Sequence, residues 1–240
     1  MNMSTRRAVI LAGGMGTRLR PYTVVLPKPL MPIGEFPILE VIIRQLKHYG
    51  FGHITLAVNH QAELFKAFFG DGSKWGLTID YSLENMPLST MGPLKLIDGL
   101  PPDFLVMNGD ILSDVNYGAF LDAHSTRGSL FTISAAQRVQ SIDYGVLHAD
   151  ESSALVGFEE KPKLDYLVSM GVYAVSRRVL EVIPPSTAFG FDHLVLHYLR
   201  EKQRVDVERH EGYWLDIGRP DDYQKAIEDW PELSQAMGIL

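Results

Sequence analysis

The chain has 240 residues, 46% of them hydrophobic and 21% charged, ordinary values for a globular domain with a substantial core. Its formal charge of −7 argues against a nucleic-acid-binding surface, and the lack of cysteine excludes disulfides and thiolate metal sites. No apolar run approaches the ~18 residues of a membrane span, and the N-terminal MNMSTRRAVILAGG carries no cleavage-site pattern, so a soluble cytoplasmic protein is expected.

The first short apolar run, Ala8 to Ala12, reads as a buried strand over 7–12. The strand empties into Gly13, Gly14, Met15 and Gly16, followed by Thr17 and Arg18. Glycine permits positive φ and close approach of the backbone to a ligand. Successive N–H groups in such a turn form a concavity for anions. A polyphosphate is therefore expected against the amides of Gly13 to Thr17, beyond the strand exit at Leu11 and Ala12, with Arg18 neutralising its charge. The P-loop string G-x-x-x-x-G-K-[ST] is absent. The dinucleotide fingerprint is absent too, because Leu19 stands where its third glycine belongs. Lys28 follows between Pro27 and Pro29. Pro29 disfavours the α region for Lys28, which predicts an extended backbone that aims the ammonium at a phosphate.

Residues 38–49 read as a helix stopped by Gly50, and 53–58 as a second strand. A short helix over 61–69 closes at Gly70-Asp71-Gly72; 77–83 is a third strand and 90–97 a helix. The fourth strand, 103–107, exits at Asn108, Gly109 and Asp110. Ligands of open α/β sheets sit beyond the carboxyl ends of strands, and both the glycine loop and Asn108-Gly109-Asp110 lie at such ends. Mg²⁺ takes one or two carboxylates plus substrate phosphates. Asp110 fits that description, and it equally fits a turn or helix N-cap.

The second half is richer in β-structure, with strands at 129–136, 145–148, 154–159, 167–175 and 205–209 and helices at 177–183 and 192–200. The aromatic segment 212–218 delivers Asp216 just before Gly218, a second strand-end carboxylate. Pro220 opens a last helix that ends near Trp230-Pro231. Alternating strands and helices indicate an α/β fold with an open, mostly parallel sheet. His193 and His197 are four apart on a helix, but Leu194 stands where a zinc protease needs glutamate, so they read as packing residues.

The string G-G-x-G-T-R from Gly13, with Pro21, Thr23 and Pro27-Lys28-Pro29-Leu30, resembles the signature of sugar-1-phosphate nucleotidyltransferases, mannose- and heptose-1-phosphate guanylyltransferases above all. Later segments resemble the same family in the same order. The resemblance implies a Rossmann-like sheet with a β-rich, sugar-binding second half in a single domain over 1–240. About 1–125 would take the NTP and about 126–230 the sugar phosphate, with no C-terminal β-helix of the kind many relatives carry. It assigns Arg18 and Lys28 to charge stabilisation, Asp110 and Asp216 to Mg²⁺, and Asn108 and Gly109 to the nucleotide. Residues 84–94 resemble the nucleobase loop, often P-L-G-T-A-G, which places Glu84, Pro87, Thr90 and Gly92 around the base. Ser89 replaces a glycine there and Met91 an alanine. Gly145, the Glu160-Lys161 pair, and Gly171-Val172 resemble three sugar-holding segments, with Glu160 accepting hydroxyls and Lys161 meeting the phosphate.

The implied partners are an NTP and a sugar 1-phosphate, with no nucleic acid and no membrane; a homo-oligomer is left open. Glu84 is acceptor-only and suits the two adjacent donors of guanine. The lead reading is thus GTP with a mannose-like or heptose 1-phosphate, the alternatives being cytidylyl, thymidylyl or uridylyl transfer to glucose 1-phosphate. A glycosyltransferase that binds metal would show D-x-D, which the chain lacks. A non-catalytic regulatory subunit would be free to lose Arg18, Lys28, Asp110 and Asp216, all of which are present.

Overall fold

The computed structural model describes residues 6–59 and 61–237. The first half runs β1 (Arg6–Leu11), β2 (Pro32–Ile33), β3 (Phe36–Pro37), α1 (Ile38–His48), β4 (Phe51–Val58), α2 (Ala62–Phe69), β5 (Thr78–Leu83), β6 (Asp103–Asn108), β7 (Ile111–Ser113) and α3 (Tyr117–Arg127). The second half runs β8 (Phe131–Ser141), β9 (Val146–Ala149), β10 (Leu155–Glu159), β11 (Lys163–Ser176), α4 (Phe191–Arg200), β12 (Asp206–His210), β13 (Trp214–Asp216) and α5 (Pro220–Met237).

Seven strands form the central sheet in the order β12-β8-β11-β6-β1-β4-β5. Four of its pairings are parallel: β12 with β8, β6 with β1, β1 with β4, and β4 with β5. Only β11 runs against its neighbours, β6 and β8. The expected open, mostly parallel sheet is therefore present. From Ala8 to Leu11 β1 is apolar without alternation because both faces of the sheet are covered. Ala8 and Ile10 join one core cluster, with α1, and Val9 joins the other, with Phe104 and Tyr173. This is the two-residue period of a strand read on two buried faces. Ile38, Leu39, Ile42, Ile43 and Leu46 of α1 are fully buried, each contributing roughly 1.5–3 kcal/mol.

Several elements differ from expectation. Helix α3 was not predicted, although Asn116 Oδ1 accepts from the Ala119 N–H at 2.9 Å as an N-cap and Gly128 ends it in the left-handed region. Gly118, His124 and Ser125 interrupt its apolar stripe and mask the helical period. The helices expected over 90–97 and 177–183 are only 3-10 turns, Gly92–Leu96 and Arg177–Glu181. Pro93 sits in the first, and Pro184-Pro185 follow the second. α5 does not stop at Pro231 but continues to Met237, because Trp230, Leu233 and Met237 bury one face against the core and outweigh the ~3 kcal/mol that an interior proline costs. β8 and β11 run farther than predicted, their extra lengths pairing as an exposed arm that continues into the small β9–β10 hairpin.

Candidate active site

The carboxyl ends of β1, β4 and β6 open on a cavity of about 600 Å³. Its wall includes the whole run from Leu11 to Arg18, Lys28, Asn59, residues 84–90, Asn108, Asp110 and Gly218. Ala12 extends the β1 ladder by donating to Ala57 O at 2.8 Å. Gly13 then turns away, its carbonyl held by the Asn59 side-chain amide. Asn59 was not singled out from the sequence; its one signal is its place just past a strand's carboxyl end. Gly16 has φ +59°, and its carbonyl accepts from Thr23 Oγ1 at 2.7 Å. That turn demands glycine, and a Cβ there would also lie 3.1 Å from Thr23 Cγ2. Thr23, part of the sequence signature, thus locks the loop. Arg18 is exposed and lies against Gly218, where an added Cβ would stand 3.5 Å from its guanidinium.

Lys28 is not extended. It opens a 3-10 turn, Lys28–Leu30, and Pro27 carries the extended conformation instead. Two hydrogen bonds, Leu30 N–H to Pro27 O at 2.8 Å and Met31 N–H to Lys28 O at 3.0 Å, outweigh the steric bias from Pro29. The side chain is nearly buried, and its ammonium pairs with Asp110 Oδ2. The other oxygen, Asp110 Oδ1, is buried without a hydrogen-bond partner.

Asp216 reaches the same point through β13. This strand pairs antiparallel with β7, setting Asp216 opposite Ile111, and Ile217 N–H donates to Asp110 O at 3.1 Å. Burial, and then the negative charge of Asp110, push the Asp216 carboxyl above the usual carboxylate range; Lys28 and Arg18 pull it back. Two neighbouring carboxylates, one with an unsatisfied buried oxygen, fit a Mg²⁺ ion that completes its shell with phosphate and water. Among the described residues no group of three or more His, Asp and Glu is placed to hold a metal ion by itself.

Glu84 braces the loop that follows β5. Its Oε2 accepts from Leu88 N–H at 3.2 Å, and Oε1 would stand 3.0 Å from a Cβ on Gly13. Burial pushes its carboxyl up, and the Leu88 bond opposes this. Pro87 and Thr90 line the cavity, and Thr90 Oγ1 also accepts from Phe191 N–H at 2.7 Å. Gly92 lies behind the wall, where a Cβ would come 2.9 Å from Leu88 Cβ. The two departures from the family loop have structural accounts. Ser89 has φ +63°, the conformation a glycine favours, and Met91 is fully buried in the core cluster that also holds Val9 and Ala57.

The sugar-side candidates fall into two groups. Gly171 has φ +73° and sits where the β8–β11 register breaks; a Cβ there would lie 2.6 Å from Asn108 Nδ2. Gly109 donates to Leu11 O at 3.0 Å, which ties the β6 exit to the glycine loop. Val172 is fully buried opposite Met107, so only its main chain is available to a ligand. Gly145 faces Glu160, whose Oε2 would be 3.3 Å from a Cβ at 145. Gly145, Glu160 and Lys161 are exposed, and none of them lines the cavity. Trp214, read from the sequence only as part of the strand that delivers Asp216, donates Nε1 to Met170 O at 3.1 Å, and Arg138, which sequence reasoning missed, sets its guanidinium 4.8 Å above that ring.

The family model described as Nucleotidyl transferase matches residues 7–232. "Probable mannose-1-phosphate guanylyltransferase 3" of Oryza sativa subsp. japonica is 33% identical over 226 residues, covering 90% of this chain and 62% of that protein. "UTP--glucose-1-phosphate uridylyltransferase" of Synechocystis sp. is 31% identical over 246 residues, 92% of this chain and 62% of that one. The chain thus spans under two thirds of these curated relatives. HddC from Yersinia pseudotuberculosis, crystallised with GMP-PN, superposes with a TM-score of 0.70 at 28% identity, covering 94% of this chain and 100% of that chain. With its glycine loop, P-K-P lysine and paired carboxylates at one end of the sheet, the chain belongs to the nucleotidyl transferase family.

Proposed function

We propose that this protein transfers a nucleotidyl group from an NTP to a sugar 1-phosphate and releases pyrophosphate. The observation that carries the proposal is the Lys28–Asp110 ion pair in the wall of the glycine-loop cavity, with Arg18 in the same wall and Asp216 just behind it, close enough to feel the charges of all three. The amides of Gly13 to Thr17 hold the triphosphate, and Arg18 offsets its charge. An oxygen of the sugar phosphate attacks the α-phosphorus in line, and pyrophosphate departs. The attacking phosphate is already largely ionised near neutral pH, so no strong general base is needed. Lys28 stabilises charge at the reacting phosphates, as expected where positioning and neutralisation dominate. Asp110 and Asp216 would hold Mg²⁺, which when bound offsets phosphate charge. Gly145, Glu160, Lys161 and the main chain at Gly171-Val172 receive the sugar phosphate.

GTP with a mannose-like or heptose 1-phosphate is the proposed pair. The name of the rice relative and the guanine nucleotide analogue in the HddC crystal support it. Glu84 supports it too: each carboxylate oxygen has two acceptor sites, so the Leu88 bond leaves room for guanine N1–H and N2–H₂. The Synechocystis relative favours UTP with glucose 1-phosphate as the second reading. No helix among the described residues is long and apolar enough to cross a membrane, and we place the activity in the cytoplasm. A matrix of GTP, CTP, UTP and dTTP against mannose, glucose and heptose 1-phosphates, read as pyrophosphate, tests the proposal. GTP is expected to win by at least tenfold, about 1.4 kcal/mol. Pyrophosphate from no pair would refute the reaction, and a tenfold lead for another base would refute the guanine assignment.

A further inference from the structure

Asp110 has two oxygens in unlike states. Oδ2 is taken by the Lys28 ammonium, while Oδ1 is buried and unpartnered. Both side chains are well shielded, Lys28 at 10% exposure and Asp110 at 21%, so salt screens their pairing little. The same carboxylate is the natural ligand of a divalent cation at this point, with Asp216 as its neighbour. A dication entering beside the ammonium would meet repulsion at short range. We infer that Lys28 and the divalent cation are alternative partners of Asp110, so that the free protein keeps its metal site closed and opens it when nucleotide arrives.

Charge and geometry agree with this exchange. Three carboxylates, Asp110, Asp216 and Asp222, face two cations, Lys28 and Arg18, so the protein's own charges here nearly cancel. A dication alone would leave a net positive site. A triphosphate brings enough negative charge for both the ion and the lysine. The Lys28 main chain is fixed by its 3-10 turn between prolines, so only the side chain needs to move. Lys28 and Asp110 both line the cavity, which puts a bound phosphate within the swing of the ammonium. Lys28 then serves as the metal's placeholder before binding and as a phosphate ligand after it. The inference rests on the proposed function only in naming an NTP as the molecule that releases the lysine.

Mn²⁺ titration of the nucleotide-free protein, followed by the EPR signal of the free ion, tests the exchange. Lys28→Met removes the ammonium and keeps the apolar stem; it is expected to bind Mn²⁺ at least tenfold more tightly than wild type. Lys28→Gln, a second replacement in case the first does not fold, is expected to show the same direction. Adding Asp110→Asn to either variant should abolish the gain. Wild-type protein that binds Mn²⁺ as tightly as the folded Lys28 variants would overturn the inference, and so would a gain that survives Asp110→Asn. The readout needs no turnover. An inert protein with the expected gain would refute the transferase reading alone; an active one without it would refute this inference alone.

Discussion

The glycine loop and the β9–β10 hairpin, flanked by Gly145 and by Glu160-Lys161, hold or border residues proposed for the two substrates, and they are built in opposite ways. Around the loop, main-chain groups are tied at Ala12, Gly13, Gly16 and Gly109, and of the charged groups behind it Lys28 is buried and Asp110 and Asp216 are half-buried. Around the hairpin, Tyr144, Leu147, Leu155, Val156 and Phe158 are exposed, and Glu160 and Lys161 stand clear of the cavity. A site held by many internal bonds is preorganised, which is where electrostatic stabilisation of a transition state is strongest. A segment with few buried contacts opens locally at little free-energy cost. The contrast teaches that damage at the loop end should appear in kcat, and damage at the hairpin end in KM for the sugar phosphate.

Lys28→Ala should give the largest effect. Removing one preorganised cation is expected to lower kcat about 100-fold, ~3 kcal/mol, with little change in KM for the NTP. Steady-state pyrophosphate release measures both constants. A loss confined to KM would erase the contrast between the two ends.

Gly171→Ala probes the seam where β11 meets Asn108. A left-handed residue with a Cβ costs about 1–2 kcal/mol, and contact with Asn108 Nδ2 adds to it. Urea unfolding should show a loss of about 2 kcal/mol or more. Unchanged stability would mean that β11 shifts freely there, and the seam would belong to the adjustable end. Glu160→Gln should do less, raising KM for the sugar 1-phosphate about fivefold, ~1 kcal/mol, while KM for the NTP stays the same. An equal rise in both would remove Glu160 from the sugar side.

The smallest effect belongs to His124, remote from both ends. It is fully buried, with Nδ1 bonded to Thr132 Oγ1 at 2.8 Å and Nε2 without a hydrogen-bond partner. Burial lowers its pKa below the ordinary histidine value, against the pull of Asp103 and Asp206. Below about pH 6.5 the unfolded chain therefore binds a proton that the folded one refuses, and stability falls as pH drops. His124→Gln should flatten that slope in urea titrations between pH 7 and 5.5. Because His124 lies outside both ends, the ratio of kcat effects between them should not move; if it does, stability rather than site geometry underlies the contrast.

Much of this was legible in the residues. The strands exiting at Gly13 and at Asn108-Gly109-Asp110 were readable because unbroken apolar runs followed by glycine mark buried parallel strands. The helix over 38–49 was readable from its period and from Gly50. Helix α3 was not, since small and polar residues break its stripe, and the end of α5 was misplaced because proline chemistry is local whereas burial of Leu233 and Met237 is not. The Lys28 backbone went wrong for the same reason: a steric bias from Pro29 lost to hydrogen bonds made by Leu30 and Met31.

Composition, period and the spacing of glycine, proline and charge determined the α/β class, the phosphate loop and the set of charged candidates, since each depends on neighbours a few residues apart. Only the folded chain decided that Asp216 stands beside Asp110, that Lys28 is held by that same aspartate, and that Val172 turns inward while Glu160 stays in solvent. Those facts depend on which strands pair and in what register, β13 on β7 and β11 between β6 and β8. Strand pairing is chosen by burial summed over the whole molecule, which no local stretch of sequence contains.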